Sequence, residues 1–264
     1  MGIKDLVSEN RGAIMFAFLV MLAGSAAYAF SGNLDAGMLG EKDGADVLGE
    51  ARFKAVSAPD GSIAIIANAR NNALASLKAA EGNPVPEEDS VVLGAGQALR
   101  MKGQGLASKP GGHIIDYLGI NATIEGVLER SGGPADDVIF VGARMFEGID
   151  GDDGRVFSRA GEEGMPRMFY RLGADETVPG GFRLAEGSMR GYSPHNLDGR
   201  VYYPLIIGAK EAKAMRDGKI FEDTGDTIRD FFGRDFVVAG VLEETGTGID
   251  SLHFTPLGSR GFEG

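Results

Sequence analysis

A long internal repeat is the feature that most limits what this 264-residue chain can fold into. When the sequence is shifted against itself by 114 residues, 91–142 aligns with 205–256 without a gap, and 15 of the 52 positions are identical. Unrelated segments of ordinary composition would share only about 3 or 4 residues over that length. Because a repeat of this size specifies the same supersecondary arrangement twice, the alignment predicts two copies of one structural unit.

Three of the matched pairs are acids, and each recurs at the same place in both copies: Asp116/Asp230, Glu129/Glu243 and Asp136/Asp250. Two carboxylates held close together can carry out acid–base catalysis or bind a cation. Recurrence in both copies is more typical of a structural requirement, because aspartate in a turn bonds its own backbone. We favour the structural interpretation, with a pseudo-symmetric cation site or an enzyme that uses Asp116 and Asp230 as the alternative.

The hydrophobic pattern of each copy predicts short strands around one helix. Apolar runs that end at glycine precede a segment of good helix formers, and two further strands and a closing strand follow. The chain has 42 glycines, which suits many tight turns between short strands. The fold class predicted from this pattern is α+β, built from two tandem β-rich repeats.

The repeat sets the expected boundaries of the units. Alternating segments at Arg52–Ala58 and Arg167–Gly173 read as the strands that open each unit. The predicted units are therefore 51–146 and 165–264, and the acidic, glycine-rich stretch between them, 147–164, is predicted to be a linker.

The N-terminal region contains a candidate membrane span. Residues 12–34 form a run of 23 residues without a charge, and a bilayer core needs about 20 apolar residues as a helix. The two cations of the first 11 residues, Lys4 and Arg11, lie before the run, whereas an acidic juxtamembrane stretch, 35–50, follows it. The positive-inside tendency thus predicts a cytoplasmic N-terminus at 1–11, a single transmembrane helix and an extracytoplasmic bulk.

A cleaved signal peptide is the rival interpretation of the same run. Ala27-Tyr28-Ala29 has the small-x-small pattern of a cleavage site, although the preceding region has no net positive charge. Either interpretation places residues 35–264 outside the cytoplasm, anchored in the cell membrane in one case and secreted in the other.

Composition and charge exclude several classes of function. The chain has no cysteine, so it cannot form disulfides or thiolate metal sites. Its formal net charge is −12, which argues against nucleic-acid binding, because a backbone binder needs a basic face. The three histidines are far apart in the sequence, and no catalytic triad or dinucleotide fingerprint is complete. We therefore predict no cofactor, no metal site and no catalytic residue.

Two glycine-containing loops are the expected contact points with other proteins. They follow the matched strands that end at Leu128 and Leu242, and their candidate residues are Ser131, Gly132, Gly133, Thr245, Gly246 and Thr247. Asn121-Ala122-Thr123 is also a glycosylation sequon, with Asn121 as the possible acceptor.

The second copy has a pattern of structural glycines and apolar strand positions in the segments Gly181–Gly187, Leu205–Gly208, Ala209–Met215, Gly225–Ile228, Phe236–Leu242 and Phe254–Pro256. In this pattern it resembles the MacB-like periplasmic core domain of FtsX/MacB-type ABC transporter permeases. The resemblance covers about 75 residues, and the first copy shows it more weakly. A permease of that family has further transmembrane helices, which this sequence lacks.

The resemblance implies an α+β extracytoplasmic module that binds partners and transmits force and is not an enzyme. Together with the repeat and the anchor, it leads us to expect a single-pass membrane protein that serves as a non-catalytic binding or assembly subunit of a larger membrane or envelope complex. The alternatives are an accessory chain of an ABC-type transporter and an extracytoplasmic enzyme that uses the paired acids Asp116 and Asp230.

Overall fold

The computed structural model describes residues 48–49, 51–58, 63–160, 166–173, 178, 182–189 and 193–256. These residues belong to one compact unit, Glu41–Gly264. The predicted membrane span 12–34 and the N-terminus 1–11 lie outside the described residues, as does nearly all of 35–50. Within the described part of the chain, no helix is long and apolar enough to cross a membrane.

The described residues form two eight-stranded sheets with a few short helices, so the predicted α+β class is confirmed. The first sheet has the order β3-β6-β4-β7-β2-β1-β8, and β5 also pairs with β6. Its strands are β1 (Arg52–Ser57), β2 (Ile63–Asn68), β3 (Ala79–Gly82), β4 (Ser90–Leu93), β5 (His113–Tyr117), β6 (Ile120–Leu128), β7 (Val138–Val141) and β8 (Asp152–Asp153).

The second sheet has the order β11-β15-β13-β16-β10-β9, with β12 on β13 and β14 on β15. Its strands are β9 (Val156–Ala160), β10 (Pro166–Leu172), β11 (Leu184–Gly187), β12 (His195–Leu197), β13 (Arg200–Ile207), β14 (Thr227–Phe231), β15 (Arg234–Leu242) and β16 (Leu252–Pro256). The helices are α1 (Asn71–Leu74), α2 (Ala95–Gly103), α3 (Ala143–Gly148) and α4 (Ala209–Asp217), and the 3₁₀ turns are η1 (Pro134–Asp137) and η2 (Gly248–Ser251).

The two sheets have the same pairing pattern. In the first, β4 is parallel to β6 and antiparallel to β7, and in the second, β13 is parallel to β15 and antiparallel to β16. The parallel pair of β2 and β7 likewise corresponds to that of β10 and β16. A β-bulge also interrupts the pairing of β3 with β6 and of β11 with β15 at equivalent positions.

This pairing changes which strands correspond at the start of each half. The partner of β2 is β1, and the partner of β10 is β9, so β9 takes the place of β1 in the second sheet. Arg52–Ala58 therefore corresponds to β9, whereas the sequence comparison matched it with Arg167–Gly173. The segment 147–164, expected to be a linker, carries β8 and β9. Alternation identifies a strand, but it does not identify the neighbour with which that strand pairs.

Each sheet has two buried faces. One face of the first sheet packs against α2, and one face of the second packs against α4. The other faces meet in a single core, which contains Val92 and Phe140 from the first sheet and Ile206 and Phe254 from the second. Successive strand residues point to opposite faces, so the described residues form a helix–sheet–sheet–helix arrangement in which both sheets are covered.

The 3₁₀ turns η1 and η2 pack against each other where the halves meet. Ser251 Oγ donates a hydrogen bond to Asp137 Oδ2 at 2.8 Å, and these two residues occupy equivalent positions, 114 residues apart. Asp137 also accepts from Arg100 Nη1 at 2.6 Å, and Lys210 Nζ lies 3.8 Å from Oδ2. Contact between equivalent positions is typical of an approximate two-fold axis.

Candidate functional site

The loop at Ser131–Gly133 is held by one buried aspartate. The carboxylate of Asp136 accepts hydrogen bonds from the backbone N–H of Ser131 at 2.8 Å, from its hydroxyl at 2.9 Å and from the N–H of Gly132 at 2.9 Å. Asp136 is 3% exposed, whereas Ser131 and Gly132 are exposed. The loop is therefore exposed to solvent, and the buried carboxylate of Asp136 fixes its backbone.

The loop at Thr245–Thr247 repeats this arrangement. Asp250, 5% exposed, accepts from the N–H and the hydroxyl of Thr245 at 3.0 and 2.8 Å and from the N–H of Gly246 at 2.7 Å. Gly132 and Gly246 have positive φ values of 77° and 68°, a conformation that glycine adopts without strain. The matched acids Asp136 and Asp250 thus have a structural task, to shape two equivalent loops.

Replacing Asp250 by alanine should destabilise the protein by about 2–3 kcal/mol, because two backbone N–H groups and a hydroxyl lose their acceptor in a partly buried loop. Urea unfolding of the full chain in mild detergent, followed by circular dichroism, measures this change. The exposed Glu243→Ala is the matched control, with a change within about 0.5 kcal/mol. Equal effects of the two substitutions would contradict the anchoring role.

Asp116 and Asp230 lie in the hairpins that join β5 to β6 and β14 to β15. Both are exposed and left-handed, with φ values of 51° and 54°, which aspartate tolerates better than most residues. Their backbone N–H groups donate to the side chains of Asn121 and Asp235 at 3.0 and 2.9 Å. The hydrogen bond from the backbone N–H of Asp230, and secondarily the interaction with Arg200, lowers the pKa of Asp235.

The sequon residue Asn121 therefore has a local structural role in its hairpin, and Asp235 fills that role in the other half. The 114-residue shift aligns these two different residues, and both present the side-chain oxygen that the turn requires.

The matched acids do not converge on one centre in the described structure. Asp116 and Asp230 belong to hairpins of different sheets. Glu129 and Glu243 are exposed. Their backbone N–H groups donate hydrogen bonds to the carbonyl oxygens of Lys78 and Arg183 at 2.9 Å, which extends the strand pairing beyond β6 and β15. Among the described residues, no group of three or more His, Asp or Glu side chains is arranged to hold a metal ion.

A polar cluster lies between α4 and the second sheet, and the sequence did not predict it. Glu211 pairs with Arg167, and its Oε1 lies 3.8 Å from Nε2 of His253. The same ring nitrogen is 3.3 Å from Sδ of Met215. The positions equivalent in the first half are Ala64, Gln97 and Ile139, so the charges are confined to the second half.

His253 is fully buried and stacks on Phe169, with ring centroids 4.9 Å apart. Burial, and secondarily the positive charge of Arg167, lowers the pKa of His253 to about 3, although the backbone of Met168 opposes the shift. The imidazole is therefore neutral at physiological pH. The signal in the sequence is the exchange of an apolar strand residue, Ile139, for histidine at the matched position.

A cleft lies at one edge of the first sheet. It has a volume of about 780 Å³ and is formed where β2 and β7 end and where β1 and β4 begin. Its polar lining combines two arginines, two glutamates and three asparagines: Arg52, Arg70, Glu87, Glu88, Asn68, Asn71 and Asn83. The carboxyl ends of parallel strands are a common position for ligand sites.

Comparison of this chain with models of known protein families, with curated proteins and with solved structures finds no match. The fold and the side chains of the chain itself therefore carry the functional argument.

Proposed function

We propose that this protein is a single-pass, membrane-anchored binding or assembly subunit of a larger membrane or envelope complex, with residues 12–34 as its anchor and the two sheets outside the cytoplasm. The observation that carries the proposal is the pair of loops at Ser131–Gly133 and Thr245–Thr247. Ser131 and Gly132 are exposed in the first loop and Gly246 in the second, and each loop is held by one buried aspartate. A loop that is ordered before binding loses less conformational entropy when a partner docks.

We also propose that the two halves are duplicated units similar to the MacB-like periplasmic core domain. The pairing pattern shared by the sheets, the recurring β-bulge and the contact between Asp137 and Ser251 support duplication. Duplication would give the protein two equivalent loops in one compact unit, which suits contact with a symmetric or two-headed partner.

Photo-cross-linking in intact membranes tests the binding role. A photoreactive amino acid at Gly133 has space, because the nearest atom to its Cβ would be the Ser131 hydroxyl at 3.4 Å. We expect discrete adducts with a membrane or envelope protein from Gly133 and from the exposed Glu244. Lys102, exposed in α2, is the control outside both loops, and it should give none.

A variant without residues 2–34 should leave the membrane fraction and lose the adducts. Absence of adducts from both loops in the full chain, or equal labelling from Lys102, would contradict the binding role. An adduct with a transporter permease would assign the chain to the transporter accessory class.

A further inference from the structure

The buried cluster between α4 and the second sheet brings two metal-binding atoms into contact. Nε2 of His253 lies 3.3 Å from Sδ of Met215 and 3.8 Å from Oε1 of Glu211. Glu211 and Met215 are four residues apart in α4, so they lie on the same side of that helix, and His253 meets them from β16. A thioether sulfur and a carboxylate oxygen therefore both approach one imidazole nitrogen.

The types of ligand atom in this cluster favour Cu(I). A thioether is a soft ligand that selects Cu(I), and imidazole also binds copper, whereas a structural Zn²⁺ site normally has four protein ligands. Glu211 is paired with Arg167, so this pair has no net charge, and the imidazole of His253 is neutral. A monovalent ion adds one charge to the buried space and a divalent ion adds two, so burial also favours the monovalent ion.

The spacing of the two ligand atoms fits a single ion between them. Bonds from a first-row metal such as zinc to nitrogen and sulfur are about 2.0 and 2.3 Å long. With bonds of these lengths, ligand atoms 3.3 Å apart define an angle of about 100° at the metal. An ion at this position requires the lone pair of Nε2, and the neutral ring then carries its single proton on Nδ1.

The surroundings of the two ligand atoms exclude water. His253 and Met215 are fully buried, and the imidazole has Phe169 and Phe231 beside it, with ring centroids 4.9 and 5.6 Å away. Cu(II) prefers a tetragonal set of nitrogen and oxygen ligands, which these aromatic rings do not supply. The cluster therefore suits the reduced ion, which enters through a local opening of α4.

The first half has the equivalent methionine without the histidine. Met101 occupies the position of Met215, whereas Ile139 stands where the second half has His253. Burying an imidazole is costly in comparison with isoleucine, because its polar nitrogens leave water. A metal-binding role gives a reason for histidine at a strand position that an apolar residue fills in the first half.

We propose that Met215 and His253 form a buried Cu(I) site, with the paired carboxylate of Glu211 beside it. The site goes beyond the proposed binding role, since it uses no residue of the loops at Ser131–Gly133 and Thr245–Thr247. Copper binding and partner docking can therefore be tested independently.

Anaerobic titration of the full chain in mild detergent with Cu(I), in competition with the chelator bicinchoninate, tests the site. We expect the protein to withdraw one equivalent of Cu(I) from the chelator. Met215→Leu and His253→Ile should each weaken this binding at least about 100-fold, because loss of a mere outer partner of a metal ligand already costs about 10–100-fold. Circular dichroism checks that both variants remain folded.

Met101→Leu is the matched control, because it makes the same change in α2, where the facing half has no buried histidine. Its affinity for Cu(I) should stay within about 2-fold of the wild-type value. X-ray absorption of the copper-loaded wild-type protein should show a sulfur neighbour at about 2.3 Å. Failure of the folded wild-type protein to withdraw copper, a full equivalent retained by His253→Ile, or a copper environment of nitrogen and oxygen alone would overturn the proposal.

Discussion

Acidification should destabilise the wild-type protein by up to roughly 5 kcal/mol more than a His253→Ile variant. The pKa of the buried imidazole is about 3, against 6.5 when it is solvated. Between these values the unfolded chain binds a proton that the folded chain does not. Stability from this group is therefore complete above about pH 6.5, is lost as the pH falls towards 3, and changes little below that.

The substitution by isoleucine reproduces Ile139, the residue at the equivalent position of the first sheet, and it leaves Glu211 paired with Arg167. Both proteins share all their carboxylates, so the difference between their urea-unfolding free energies at several pH values isolates the histidine. Parallel curves from pH 7 to pH 3 would show that His253 is not buried in the neutral form.

Replacing Asp137, the aspartate at the junction of the halves, should cause the second largest loss of folding stability. Asp137→Ala removes the acceptor of both Arg100 and Ser251 and leaves the guanidinium of Arg100, whose side chain is 19% exposed, without its carboxylate. Breaking a largely buried ion pair by removing one partner costs about 3–5 kcal/mol. Urea unfolding measures the loss.

A double-mutant cycle separates the contact between the halves from the rest of this effect. Ser251→Ala alone should cost about 1 kcal/mol, and the coupling between Asp137→Ala and Ser251→Ala should also be about 1 kcal/mol. Asp137→Asn, which can still accept from Ser251, should retain most of that coupling. Additivity of the two alanine substitutions would contradict a direct hydrogen bond between the halves.

Much of the local structure was predictable, because it depends on residues close in sequence. The strands β4, β7, β13 and β16 follow from short continuous apolar runs, and the aspartates of the two loops follow from turn chemistry. The preference for a structural role of Asp136 and Asp250 agrees with their hydrogen bonds to backbone groups four or five residues away.

The cluster around His253, the contact of Asp137 with Ser251 and the cleft were not predictable in this way. Each joins residues that are distant in sequence: His253 meets Glu211 from α4, and the cleft collects side chains from four strand ends. Local sequence patterns do not identify which strands become neighbours. The strand order determines which polar groups come into contact.

The sequence by itself determined the repeat, the α+β class and the two loops, because periodicity and turn chemistry act over a few residues. Only the tertiary structure decided that the two sheets share one core, that β9 takes the place of β1 in the other half, and that residues from four strand ends line one cleft. The physical reason is that strand neighbours and the packing of one sheet on another depend on the burial of apolar surface between segments that are distant in sequence. Interactions between adjacent residues do not determine them.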